Sequence, residues 1–312
     1  MSRSFLTLTV TDQVPGELLR GRQTMRSLAS FIMRGRAQAA AFAFFATAAP
    51  FCFLLGGAGV ALVMLRKGAT DGLVVALWAL LPAAAWAWSG QPLAVLSLLL
   101  LVPMALCLRL TASWPWTLAA MVLSGVAVGG YVASAFAPQV DEIVSLFYQL
   151  YGARLDALLA ADSELTQSGL HAFILTSFIR SVVCLAVFSA LLALFLARAW
   201  QAALYNPGGL RGEMHSLRIP PVAACLLLAA GILVNPGEGP LSAALQPVFL
   251  APLLVSGTAL VHMLSRKAGK LATTCLVLYY ALLPVSYPGI LVLSCLDSFV
   301  NFRARLWSRV SG

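Results

Sequence analysis

Residues 92–108 read PLAVLSLLLLVPMALCL and residues 181–197 read SVVCLAVFSALLALFLA, and neither stretch holds a charged side chain. A helix rises 1.5 Å per residue, and about 20 mostly apolar residues, somewhat fewer in places, carry it across a bilayer. In hydrocarbon every backbone N–H and C=O must be paired internally, so apolar runs of this length are read as helices. The shorter segments of alternating polarity that build a transmembrane β-barrel are not seen. The same composition extends along nearly all of the 312 residues, which are 61% hydrophobic and 10% charged, where a soluble domain carries about a quarter charged residues. The sequence predicts an all-α, polytopic transmembrane helical bundle.

The flanks of these runs set its orientation. Basic ends fall at 1–36, 66–67, 109, 198–218, 266–270 and 303–309; acidic or neutral ends fall at 89–91, 138–170, 235–240 and 284–288. Lys and Arg in short loops mark the cytoplasmic side. The alternation holds throughout if the chain reverses at Pro50 and again at Tyr287–Gly289. It then predicts about ten membrane segments with both termini cytoplasmic, and a kink at either place leaves fewer full spans; about eight to ten segments in a bacterial inner membrane are therefore expected. The expected organisation is a basic amphipathic segment at 1–36, a transmembrane domain at 37–302 and a basic tail at 303–312. Six arginines and no early apolar core in 1–36 argue against a secretory signal, and Ser2 stands where myristoylation needs glycine.

Within 17–36, Leu18, Met25, Leu28 and Ile32 fall near one helical face, with Arg20, Arg22, Arg26, Arg34 and Arg36 supplying charge. This suits a helix on anionic headgroups, or an ordinary topogenic flank. The apolar region 37–65 is interrupted by Pro50, Gly56, Gly57 and Gly59, predicting two short pieces, about 37–49 and 51–65, that meet as a bent pair or a re-entrant hairpin. Segment 70–88 ends in Trp86 and Trp88, suited to the headgroup level. Gly125 and Gly129 form a Gly-xxx-Gly pair in 113–137. Residues 138–170 place Val140, Ile143, Val144, Phe147, Leu150, Tyr151, Leu155 and Leu158 at helical spacing among Asp141, Glu142, Asp156, Asp162 and Glu164. They predict an amphipathic helix on the non-cytoplasmic side, lying across the mouth of the bundle as a cap. Further segments are expected at 171–199, 219–234 and 241–264, and as two pieces in 271–296.

Ionisable residues inside spans are functional leads because their burial is costly. Arg180 sits nine residues into 171–199, roughly 13 Å from its start. It either faces the bundle interior, where it could meet an anionic substrate group, or snorkels outward or pairs with Glu142. His262 and His171 read as polar anchors, Asp71 as a helix-start residue beside Arg66 and Lys67, and Asp297 as a local partner of Arg303. The two broken stretches are the second lead, because transporters build sites from discontinuous helices. The later one offers Tyr279, Tyr280, Ser286 and Tyr287. The candidate solute-binding set is therefore Arg180, Tyr280, Ser286 and Tyr287.

The six cysteines (52, 107, 184, 225, 275 and 295) form no close pair and read as buried thiols. With no clustered Cys or His, no metal site and no cofactor are expected. Motifs of zinc hydrolases, serine hydrolases and P-loop ATPases are missing, so no enzyme is predicted and any energy coupling would come from an ion gradient or a separate subunit. The net charge of +9 resides at segment ends rather than in a basic stripe interleaved with aromatics, which argues against nucleic acid.

Two stretches carry a resemblance. One is Trp200-Gln201-Ala202-Ala203-Leu204-Tyr205-Asn206-Pro207-Gly208-Gly209, continuing to Arg211, Glu213, His215 and Arg218; the other is Leu296-Asp297-Ser298-Phe299-Val300-Asn301-Phe302-Arg303. Both resemble the DUF2232 or YybS-like family of bacterial membrane proteins, which is distantly similar to the substrate-binding (S) components of energy-coupling factor transporters. The resemblance implies a transport-like scaffold without naming a cargo. S components share an Ala-rich first helix that docks on a coupling subunit, to which Ala37, Ala39, Ala41 and Ala43 would correspond. This chain departs from them in having more than the usual six segments. Physically, Asn206-Pro207-Gly208-Gly209 is a tight turn. Together with Arg211, Arg218, Asp297 and Arg303 it forms the candidate set for partner or loop contacts.

Two functions follow from these readings. The first is a protein that binds or carries a small solute beneath the 139–160 helix, near Arg180 and the broken segments. The second is a non-transporting scaffold that recruits cytoplasmic partners through 198–218 and the N-terminal helix.

Overall fold

The structure is a computed structural model and describes residues 16–161, 167–265 and 271–304. Eleven α-helices are described: α1 Gly16–Met33, α2 Arg36–Ala48, α3 Phe53–Lys67, α4 Ala69–Trp88, α5 Leu93–Thr111, α6 Trp114–Ala161, α7 Gln167–Tyr205, α8 Gly209–Ser216, α9 Pro221–Leu233, α10 Pro240–Ser265 and α11 Ala272–Val300. No strand occurs among the described residues. Six of the helices, α4, α5, α6, α7, α10 and α11, are long and apolar enough to cross a membrane, and α8 with α9 qualifies only as a pair bent by 77°. The chain is a multi-pass, all-α integral membrane protein. The expected count of eight to ten segments is reached only when α2 and α3 are counted as the two arms of a hairpin. The expected Arg266, Lys267 and Lys270, the tail residues Arg305 and Arg309, and the side chains of Leu18, Arg20, Arg22, Leu155, Asp156, Leu158, Asp162 and Glu164 lie outside the described residues.

The reversal at Pro50 is real. Ala49 is extended, as the residue before proline tends to be, and Phe51 follows at φ 62°. The Cys52 N–H then donates to the Ala49 carbonyl at 3.2 Å. The arms pack antiparallel through missing side chains: a Cβ at Gly56 would collide with the Thr47 hydroxyl and stand 3.0 Å from the Ala43 carbonyl oxygen, and one at Gly59 would stand 2.9 Å from the Phe42 ring. The Trp86 indole donates to the Thr47 carbonyl at 3.2 Å, fixing the turn near the C-terminal end of α4.

Helix α3 is the axis of the bundle. Every residue from Gly56 to Leu65 is buried, which is how a helix apolar on all sides must sit. Gly57 lets the α5 residue Leu101 and the α7 residue Ala193 approach, while Gly72 sets α4 on Met64. Gly125 and Gly129 both face α10, against Val248 and Ala244. The Gly-xxx-Gly pair therefore marks a close helix contact, where small residues let backbones approach. The C-terminal half of α1 is drawn in as well, with Ala29 and Ile32 fully buried.

Two expectations are corrected. First, 138–161 is no separate cap across the mouth of the bundle. Helix α6 runs unbroken through Pro138 for 48 residues, about 72 Å of helix, so the amphipathic stretch continues the transmembrane span. Val140 and Val144 are buried while Ile143, Phe147 and Leu150 are exposed, and Asp141 meets His171 of α7 at 3.4 Å. Second, the chain does not reverse at Tyr287–Gly289: α11 is one helix of 29 residues through Pro284 and Pro288. Membrane helices tolerate such prolines when neighbours or local adjustment satisfy the freed carbonyls. Helix α11 meets α10 at Thr258–Tyr279, His262–Tyr280 and Gly257–Ile290, and Arg303 just beyond α11 reaches the Ser256 carbonyl.

The basic segment ends gather at one end of the bundle. Arg36 at the start of α2 pairs with Asp71 in the first turn of α4 at 2.5 Å. Arg109, closing α5, donates to the carbonyls of Met64 and Leu65 at 3.2 and 2.9 Å. Arg66 lies over the Tyr205 ring, 4.0 Å from its centroid. Asp71 therefore finds its partner in Arg36, and Arg66 turns to α7.

Candidate functional site

The same basic end carries the site. It is built on α8, which has no buried residue of its own and is held from outside. Asn206-Pro207-Gly208-Gly209 turns the chain out of α7, with Gly208 at φ 89°, where a side chain would be strained. The Gly209 N–H donates to the Asn206 carbonyl at 3.0 Å. Glu213 then anchors the helix. It accepts from the Trp114 indole at 3.0 Å, from Arg198 Nε at 2.9 Å and from Arg198 Nη2. Burial pushes the Glu213 carboxyl up, but the hydrogen bonds from Arg198 and Trp114 and the arginine's charge outweigh it, leaving the pKa below the ordinary value. Trp114 is itself stacked on Phe195, with ring centroids 4.8 Å apart.

After α8, the Leu217 carbonyl accepts from Ser256 of α10 at 3.5 Å, and Arg218 donates through Nη2 to the Ser298 carbonyl of α11 at 2.7 Å. Pro220 and Pro221 start α9, and its N-terminus has no side-chain cap. Proline suits this first position because its missing N–H would be unpaired there anyway.

The end of α11 closes the arrangement. Asn301 caps it at φ 52°, and its side-chain oxygen accepts from the Ala304 N–H at 3.2 Å. Arg303 folds back: Nε meets Asp297 Oδ2 at 2.8 Å, Nη1 donates to the Met214 and His215 carbonyls at 2.9 and 3.1 Å, and Nη2 donates to the Ser256 carbonyl at 2.8 Å. The side chains of this pair are 7% and 1% exposed. Asp297 Oδ1 and Ser294 Oγ, on one face of α11, are buried with no hydrogen-bond partner among the described residues.

Between these elements lies an open cleft of about 420 Å³. His215, Ser216 and Arg218 line one side, Pro220 and Pro221 present the start of α9, and Asn301 and Arg303 come from α11.

The structure divides the sequence-predicted residues. Arg218 and Arg303 line the cleft, and Asp297 stands behind Arg303. Asn206, Gly208 and Gly209 form the turn that leads to it, and Arg211 is exposed on α8. The expected solute-binding set is not gathered in one place. Arg180 is half-buried on α7 and makes no hydrogen bond or ion pair among the described residues. It lies eighteen residues before Arg198, about 27 Å from the basic end. Tyr280 lies in the first half of α11, away from Asn301 and Arg303 along that helix; its hydroxyl is 2.6 Å from His262 Nε2, in the last turn of α10. Ser286 is half-buried and Tyr287 exposed on the half of α11 that precedes its first buried residue, Ile290. Sequence reasoning missed the lining role of Ser216, Pro220 and Pro221; the Pro-Pro pair marking a helix start beside Arg218 was the available signal. Among the described residues no group of His, Cys, Asp and Glu could hold a metal ion. No family model, no curated protein and no solved structure matches this chain.

Proposed function

We propose that this membrane protein binds a small solute at the cleft between α8, α9 and α11, acting as a binding or transport component and not as an enzyme. The observation that supports this is the cleft itself. Its volume of about 420 Å³ falls in the range of small-molecule sites, and it is bordered by a few polar groups held by buried bonds. The reading keeps the solute-binding class implied by the resemblance to the DUF2232 or YybS-like family and to energy-coupling factor S components, and it moves the site from Arg180 to the basic end. On this reading the basic end and both termini face the cytoplasm of a bacterial inner membrane. Movement of a solute would then require a separate energising subunit.

The test is native mass spectrometry of the full chain released from lipid nanodiscs. Pro220→Trp fills the cleft and removes a co-purified small molecule, whereas Arg211→Leu, away from the lining, retains it. Retention by the Pro220→Trp protein would refute the site. One observation favours the scaffold reading: α8 has no buried residue and carries Arg211 exposed. Under it, Arg211→Leu would release a cytoplasmic partner while Pro220→Trp would not.

A further inference from the structure

We infer that the ligand of the cleft carries a phosphate group, held between Arg218 and the N-terminus of α9. This rests on the cleft being the binding site. The charges decide the class of ligand. Arg303 is neutralised by Asp297, and its donors are taken by that carboxylate and the carbonyls of Met214, His215 and Ser256. Among the described residues Arg218 has no such counter-charge: its one bond there is from Nη2 to the Ser298 carbonyl, which leaves the rest of the guanidinium fork for a ligand. Among the described residues no acidic side chain lines the cleft; Glu213 is held by Arg198 and Trp114, and Asp297 by Arg303.

The uncapped start of α9 adds to this. Pro220 and Pro221 lie on the cleft wall, and the first-turn N–H groups of Val222 and Ala223 have no side-chain cap. A helix N-terminus carries roughly half a positive charge and suits phosphate. Asn301 contributes an NH2 group while its oxygen is occupied by Ala304. An arginine fork and an amide line the cleft beside the positive end of α9, an arrangement that suits the several oxygens and the charge of a phosphate. The cleft is larger than a phosphate needs, so the ligand is a phosphomonoester with a small organic part. That part belongs to a soluble metabolite or to a lipid headgroup, because the cleft lies at the end of a membrane bundle.

The experiment uses the full-length protein in phosphatidylcholine nanodiscs. Equilibrium dialysis with radiolabelled glycerol 3-phosphate probes the soluble source, with glycerol as the uncharged control. Nanodiscs doped with phosphatidate, read by native mass spectrometry, probe the lipid source. Asn301→Asp is the informative variant. Aspartate tolerates the left-handed φ of 52° and keeps an oxygen for the Ala304 N–H, yet it sets a negative charge on the cleft. Affinity for whichever probe binds should fall about tenfold or more, with thermal stability unchanged, and Arg218→Leu should abolish binding while Arg218→Lys restores part of it. Retention of phosphatidate alone assigns the lipid source, and saturable glycerol 3-phosphate binding assigns the soluble one. The inference is overturned if neither phosphate probe binds, or if Asn301→Asp binds as tightly as the native chain. Should an uncharged molecule co-purify and be displaced by Pro220→Trp, the phosphate assignment falls and the cleft reading stands; a molecule retained by that variant removes both.

Discussion

Replacing Arg303 with methionine tests the contact that fastens α11 to the rest of the bundle. Methionine keeps the apolar stem but deletes a guanidinium that is 7% exposed and makes hydrogen bonds to Asp297 and to the carbonyls of Met214, His215 and Ser256. Asp297, 1% exposed, would then be a buried anion whose other oxygen already has no partner among the described residues. Removing one member of a buried pair typically costs about 3–5 kcal/mol. The carbonyls of Met214 and His215 belong to α8, which has no buried residue, and can turn to water, but that of Ser256, a buried residue, cannot, adding about 1 kcal/mol. The expected loss of about 4–6 kcal/mol is a large part of the stability of a typical protein. The double variant Asp297→Leu with Arg303→Met removes both charges and should recover all but about 1–2 kcal/mol, because a buried pair is offset by its own desolvation. Unfolding of each purified protein in mixed micelles with increasing sodium dodecyl sulfate, followed by tryptophan fluorescence, gives the differences. A loss below about 1 kcal/mol for the single variant, or a double variant less stable than the single one, would refute this account of the pair.

At Gly257, alanine would place its Cβ 2.6 Å from Ile290 Cγ2 and 2.8 Å from the Ile290 carbonyl oxygen, so Gly257→Ala should lower stability by about 1–3 kcal/mol in the same assay; an unchanged protein would mean α10 and α11 are not in close contact. The depressed pKa of Glu213 implies stabilisation that is present above the ordinary glutamate value and lost as pH falls through the lower folded value. Thermal melts between pH 6 and pH 3 should therefore fall more for the native chain than for Glu213→Gln, and parallel curves would contradict the anchor. Because Arg180 lies some 27 Å along α7 from the basic end, Arg180→Leu should leave ligand binding at the cleft unchanged by dialysis; loss of binding would return the site to the outer half of the bundle.

The parts of this fold that were legible in the sequence are those that chemistry forces to be local. Lys and Arg are costly in hydrocarbon, so they collect at segment ends, and the structure draws Arg36, Arg66, Arg109, Arg198 and Arg303 to one end. The cleft was not legible as a unit. Its walls join positions 80 and 89 residues apart, Arg218 with Ser298 and Arg303 with Met214, and no local periodicity records which helix ends meet. The depth of Arg180 is not legible for a related reason: α7 has 39 residues, more than a bilayer needs, so distance from the start of an apolar run is not depth in the membrane.

The two proline breaks show what the sequence does encode about a reversal. Pro82, Pro103, Pro138, Pro247, Pro252, Pro284 and Pro288 all lie inside helices, whereas at Pro50 the chain turns back. A proline inside an apolar run is therefore an insufficient signal of a reversal; the arms must also be able to pack. Ala39, Ala43 and Thr47 are buried on α2, and Gly56 and Gly59 receive that face at contact distance. After Pro288 the chain continues with the bulky run Ile290, Leu291 and Val292, which offers no comparable seam. The difference can be measured with two substitutions of the same size. Gly56→Ala sets a methyl group against the Thr47 hydroxyl and the Ala43 carbonyl oxygen, and should cost about 1–3 kcal/mol. Gly289→Ala meets no atom within 4 Å and should be neutral or stabilising by up to about 1 kcal/mol through helix propensity. Equal losses at both positions would show that small residues across the break do not decide where this chain reverses.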